Sequence, residues 1–124
     1  MPPNKTASVT STISGLPRPI ARALEAYQDR LDIPAIGRAY ELAAKAHEGQ
    51  TRASGEDYVS HPTEVAVILA QLKLDTDSII AALIHDAVED TAISVEDVEN
   101  RFGKGVATIV DGVAKLGRVR FRSA

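Results

Sequence analysis

Four ionisable side chains set into one apolar segment constrain this chain more than any other feature. The segment is Ala82-Leu83-Ile84-His85-Asp86-Ala87-Val88-Glu89-Asp90-Thr91. On a helix, residues four apart stack along one face. His85 therefore lies over Glu89 and Asp86 over Asp90, in two polar stripes about 100° apart around the axis. A core helix that accepts such groups must satisfy them with hydrogen bonds, a metal or solvent, because unpaired buried charge is costly. The simpler reading is an amphipathic helix with this as its wet face. Against it, Ile79, Ile80, Leu83, Ile84 and Val88 surround the polar groups and leave only a narrow strip.

The rest of the chain reads as helical from Leu16 onward. Met1 to Gly15, rich in Ser, Thr and Pro, reads as a disordered lead-in, and 16–124 as the folded domain. Ile20, Leu24 and Tyr27 share one face of a helix expected over Leu16 to Gln28. Pro34 opens the next helix, along which Ile36, Tyr40, Ala43 and His47 follow at helical spacing until Gly49. Gln50 to Ser60 is a polar loop. Pro62 restarts a helix whose buried stripe is expected to be Val65, Ile68, Leu69 and Leu72. Asp75 or Thr76 caps the helix that carries the ionisable groups. Ser94 with Asp97 forms a capping box for a short helix to Phe102, which Gly103 and Gly105 are expected to break. Val106, Ile109, Val110 and Val113 make a last stripe ending near Leu116. No alternating strand or internal repeat is present, so the expected class is an all-α bundle.

Composition narrows the partners. A net charge of −3 gives no general electrostatic reason to bind nucleic acid or acidic membranes, and no apolar run is long enough to span a bilayer. With no cysteine, any metal must be held by His, Asp, Glu and backbone oxygens, and the composition fits a reducing cytoplasm. Lys115, Arg118, Arg120 and Arg122 form a basic end, read as a solvated terminus or, more sharply, as a phosphate-contacting strip. His61, at a helix start, gains interest if neighbouring helices bring it toward His85 and Asp86. Two imidazoles and a carboxylate suit Mn, Fe or Zn rather than soft copper.

His61-Pro62, His85-Asp86 and Glu89-Asp90-Thr91, in this order, resemble the hydrolase domain of the RelA/SpoT-homologue family, a branch of the HD superfamily of metal-dependent phosphohydrolases. The likeness extends to Ala46-His47-Glu48-Gly49-Gln50-Thr51-Arg52, Ser54-Gly55-Glu56, Tyr58, Phe102-Gly103 and Asp111-Gly112-Val113-Ala114-Lys115-Leu116. It covers residues 34 to 122.

The resemblance implies an HD-domain helical bundle that hydrolyses the 3′-pyrophosphate of ppGpp and pppGpp with one Mn²⁺. The products are pyrophosphate and GDP or GTP. It implies His61, His85 and Asp86 as metal ligands and Glu89 and Asp90 as the pair that positions and activates water. Arg52 and Ser54 match the part that holds the guanosine end. Tyr58 either shapes that pocket or anchors the loop, and His47 is structural. Ala53 stands where the family commonly has Lys or Arg, and Ala114 where Thr is usual. The family's fourth metal ligand, an aspartate on a later helix, has no match before Ala124, and Asp111 aligns with a different motif.

The expectation is therefore a bundle incomplete at its C-terminus, the front part of an alarmone hydrolase or of a bifunctional synthetase/hydrolase. The 124 residues alone are expected to be weakly active or inactive, with exposed helix faces open to self-association. A non-catalytic alarmone-binding or regulatory module is the alternative, although such a module has no evident need of the whole hydrolytic set. A third reading, an HD phosphohydrolase acting on another nucleotide, is left open by Ala53.

Overall fold

The computed structural model describes residues 15–48 and 60–123, with side chains at 15–48 and 62–115. Among the described residues there are helices and no strands. They are α1 (Arg18–Glu25), α2 (Ile33–Ala46), α3 (Ser60–Gln71), α4 (Thr76–Asp90), α5 (Val95–Phe102) and α6 (Lys104–Ser123), with a 3₁₀ turn at Gln28–Arg30 after α1. No helix among the described residues is long and apolar enough to cross a membrane.

The organising element is α4. It packs against α2, α3 and α6, while α1 leans on α3 and α5 on α6. Burial follows from this placement. Ile79, Ile80, Ala81, Ala82, Leu83 and Ile84 are all buried, so more than a full turn of α4 is enclosed on every side. A helix surrounded in this way can be polar only where it leaves the core, at its end.

Local chemistry sets the helix boundaries. The Asp32 carboxylate accepts from the Ala35 N–H at 3.1 Å and caps α2, whose second position is Pro34. Asp75 caps α4 by accepting from the Ser78 N–H at 3.1 Å. The Asp32 N–H donates to the Thr76 hydroxyl at 3.0 Å, which ties the starts of α2 and α4 together. The capping box at α5 is complete: the Asp97 N–H donates to Ser94 Oγ at 3.0 Å, and the Ser94 N–H to Asp97 Oδ2 at 3.1 Å.

Four expectations need correction. First, α1 ends at Glu25, and the chain reaches Arg30 through a separate tight turn. Tyr27 is buried there, and its hydroxyl donates to the Leu74 carbonyl at 2.7 Å. Second, α3 buries Pro62, Thr63, Ala66 and Ala70, whereas Ile68 and Leu72 are 56% and 66% exposed. The run Val65 to Ala70 is apolar all round, so periodicity cannot choose a face. The small alanines are the side that meets the core. Third, the break after α5 lies at Gly103 alone, where φ is +98° and a Cβ is disfavoured. Gly105 sits inside α6, and a Cβ there would collide with the Asp77 carboxylate. Fourth, α6 continues to Ser123 rather than ending near Leu116, so the basic end has helical backbone. The lead-in expected over 1–15 lies outside the described residues except for Gly15.

The end of α3 carries strain. Lys73 has φ +61°, its N–H donates to the Ala70 carbonyl at 2.9 Å, and the Leu74 N–H donates to the Leu69 carbonyl at 3.1 Å. These are the paired bonds of a Schellman cap with lysine in the left-handed place that usually holds glycine. Lys73→Gly removes the Cβ clash but frees the unfolded chain, so a net gain of about 0.5 to 1 kcal/mol is expected. An upward shift in the urea midpoint with unchanged slope would show it.

Candidate active site on the central helix

Where α4 emerges from the core, its side chains change from aliphatic to ionisable. His85 and Asp86 lie at the boundary, with side chains 21% and 19% exposed, and His85 Nε2 is 3.0 Å from Asp86 Oδ1. The other ring nitrogen, Nδ1, is 3.3 Å from the Ala82 carbonyl oxygen. Glu89 and Asp90 follow in the last turn and are exposed. The polar groups therefore form a cap on the end of a buried helix, not the lengthwise wet face of an amphipathic one.

Both imidazole nitrogens face acceptors, so the ring is best served by carrying two protons. The Asp86 hydrogen bond raises the His85 pKa above the ordinary 6.5. Partial burial opposes this, and the charge of Asp86, the Ala82 carbonyl and the charge of Glu89 add to it. This contact contributes stability fully below pH 6.5 and loses it as pH rises through the elevated native value. In the metal-free chain an NMR titration should find His85 above 6.5. In Asp86→Asn it should move down, because burial then acts without its main opponent.

The end of α4 is also strongly negative. Asp86, Glu89 and Asp90 crowd its carbonyl terminus, and the last turn has no basic residue. A carboxylate at that pole of a helix is disfavoured by roughly 0.3 to 1 kcal/mol. A cation relieves this repulsion, so the donor set fits a divalent ion, with His85 and Asp86 supplying a nitrogen and an oxygen. The described side chains contain no group of three that could hold a metal. His61, the remaining expected ligand, lies in the first turn of α3, and its side chain is outside the described residues. The short Leu72–Asp75 connection makes α3 and α4 a packed helical hairpin. The first turn of α3 therefore lies at the end of the bundle where α4 finishes.

Arg52, Ser54 and Tyr58, expected to hold the nucleotide, lie outside the described residues. His47, read from the sequence as structural, is buried. Asp111 pairs with Lys115 at 3.1 Å on the exposed side of α6.

Comparison with known proteins identifies the family. The HD domain family model matches residues 39–123. The chain is 48% identical over 99 residues to the bifunctional (p)ppGpp synthase/hydrolase SpoT of Escherichia coli, covering 80% of this chain and 14% of that protein. It is 52% identical over 82 residues to a guanosine-3′,5′-bis(diphosphate) 3′-pyrophosphohydrolase of Haemophilus influenzae, covering 66% of this chain and 12% of that one. A probable GTP pyrophosphokinase of Mycobacterium leprae is 41% identical over 114 residues, covering 92% of this chain and 14% of its own length. The chain thus spans about one-seventh of the length of these curated relatives. With most of its length matched by one family model, and its His-Asp pair at the emerging end of the central helix, the chain belongs to the HD domain family.

Proposed function

We propose that this chain carries the metal-binding and water-activating part of a (p)ppGpp 3′-pyrophosphohydrolase. The observation that carries the reading is the His85–Asp86 pair at the negative end of α4, with Glu89 and Asp90 exposed one turn on. Relatives named for this reaction, at 48% and 52% identity, support the choice of substrate.

His61, His85 and Asp86 would hold a single Mn²⁺. When bound, the ion supplies a Lewis acid that lowers the pKa of water and offsets charge developing on phosphorus. His85 must lose its proton to serve as a ligand, so metal and proton compete for the same ring. Glu89 and Asp90 orient the attacking water and take up its proton. Water adds to the phosphorus bonded to the 3′ oxygen, that bond breaks, and the proton taken up by the carboxylate pair passes to the 3′ oxygen, which leaves as a hydroxyl. The products are pyrophosphate and GDP or GTP. Arg52, suited to stacking on the base, would hold the guanosine end with Ser54 and Tyr58. A chain acting on this nucleotide would work in the cytoplasm.

The test is binding of ppGpp together with release of pyrophosphate, with and without Mn²⁺. Mn²⁺-dependent release abolished by a chelator is the expected result in a chain lengthened by the family's aspartate-bearing helix, with the 124 residues alone weakly active or inactive. A chain lengthened in this way that neither binds ppGpp nor releases pyrophosphate overturns the reading. Binding without release, here and in a chain lengthened by the family's aspartate-bearing helix, favours the alarmone-binding module.

A further inference from the structure

Thr91 follows the water-activating pair directly and has no role in the chemistry above. Its surroundings assign it one. The Thr91 N–H donates to the Ala87 carbonyl at 3.0 Å, and its hydroxyl donates to the same oxygen at 2.5 Å. The hydroxyl also lies 3.4 Å from the Ile93 N–H, which donates to it. At this residue the backbone turns from helical to extended, with φ −132° and ψ −173°. One side chain thus joins the last turn of α4 to the segment leading to α5, and that segment is anchored where Ile93 packs on the core.

The charge pattern explains why the joint matters. Glu89 and Asp90 are exposed carboxylates at the negative end of a helix without a basic residue in its last turn, so mutual and dipolar repulsion favours fraying. Fraying would cost the two groups their aim at a water held beside His85 and Asp86. We propose that Thr91 is a positioning residue: its hydroxyl latches the last turn of α4 and so fixes Glu89 and Asp90 relative to the His85–Asp86 pair. This rests on the hydrolase reading, whereas the latch itself can be tested without it.

Thr91→Val keeps the branched shape and loses the hydroxyl, and Thr91→Ser restores the hydroxyl. In the 124-residue chain, amide exchange at residues 88–91 should quicken about three- to tenfold in Thr91→Val, the opening expected on losing one hydrogen bond. Exchange at Ile80 to Ile84 should stay as in wild type, which controls for general unfolding. Thr91→Ser should match wild type. In a form that releases pyrophosphate, Thr91→Val should lower kcat about ten- to hundredfold with KM and Mn²⁺ affinity unchanged, and serine should rescue it. Unchanged exchange in the valine variant overturns the latch. Faster exchange with unaltered kcat overturns the positioning role. If no wild-type form hydrolyses ppGpp, the hydrolase reading and the positioning role fall together, and the exchange difference still reports the latch.

Discussion

Replacing His85 by alanine is expected to lower affinity for Mn²⁺ by more than about a hundredfold. Loss of groups that merely orient a metal ligand costs about ten- to a hundredfold, and His85 is proposed as a ligand itself. The substitution removes the nitrogen donor 3.0 Å from Asp86 and leaves three carboxylates at the end of α4. Those carboxylates still attract cations, but an exposed acidic cluster binds weakly and is screened by salt. The residual binding should therefore fall steeply with ionic strength. Calorimetric titration of Mn²⁺ into both chains measures the difference, and pyrophosphate release should fall in parallel. His85 lies at the edge of the core and is 21% exposed, so the helical circular dichroism signal should persist. Equal Mn²⁺ affinity in the two chains would remove His85 from the metal site.

Leu83→Ala should be the most damaging change to the fold. Leu83 is 0% exposed, two positions before His85, in the stretch of α4 enclosed by neighbouring helices. Truncating a leucine in such a site costs about 3 to 5 kcal/mol, because the lost burial is compounded by a cavity that neighbours cannot fill. A domain of this size has a total stability of roughly 5 to 15 kcal/mol. Thermal unfolding should shift down by about 12 °C or more. The site would suffer indirectly, since a loosened α4 no longer holds its own end in place. A shift under about 4 °C, the scale of a single kcal/mol, would mean that α4 is less tightly enclosed than its burial indicates.

The boundaries fixed by local chemistry were readable in advance. Ser94 caps the helix it was expected to cap, Asp75 is the one of the two expected candidates that caps α4, and Pro34 stands in the first turn of α2, because each acts within a few residues of itself. Ile20 and Leu24 are buried together as their spacing requires, whereas Tyr27 reaches the core from the turn that follows α1. The faces were harder to read. Ile68 and Leu72 were expected inside and lie outside, since a helix with apolar side chains on every side does not say which neighbours it will have. Gly105 looked like a breaker and is a point of close approach to Asp77, a residue of another helix. The Tyr27 tether to Leu74 and the Asp32 bond to Thr76 join residues far apart in the chain, so no local pattern announces them.

The candidate site divides in the same way. That His85, Asp86, Glu89 and Asp90 share the final turns of one helix was determined by the sequence, because the α-helical repeat is set by backbone geometry. Tertiary structure decided that α4 is the central helix and that its ionisable side chains fall where burial turns from complete to partial, with Ala87 still enclosed between them. It also decided that His85 and Asp86 stay largely buried while Glu89 and Asp90 face solvent, whereas the imidazole's contacts with the Asp86 carboxylate and the Ala82 carbonyl lie within one turn of α4 itself. The physical reason is that periodicity specifies directions around an axis. Burial along that axis depends on which other helices pack there.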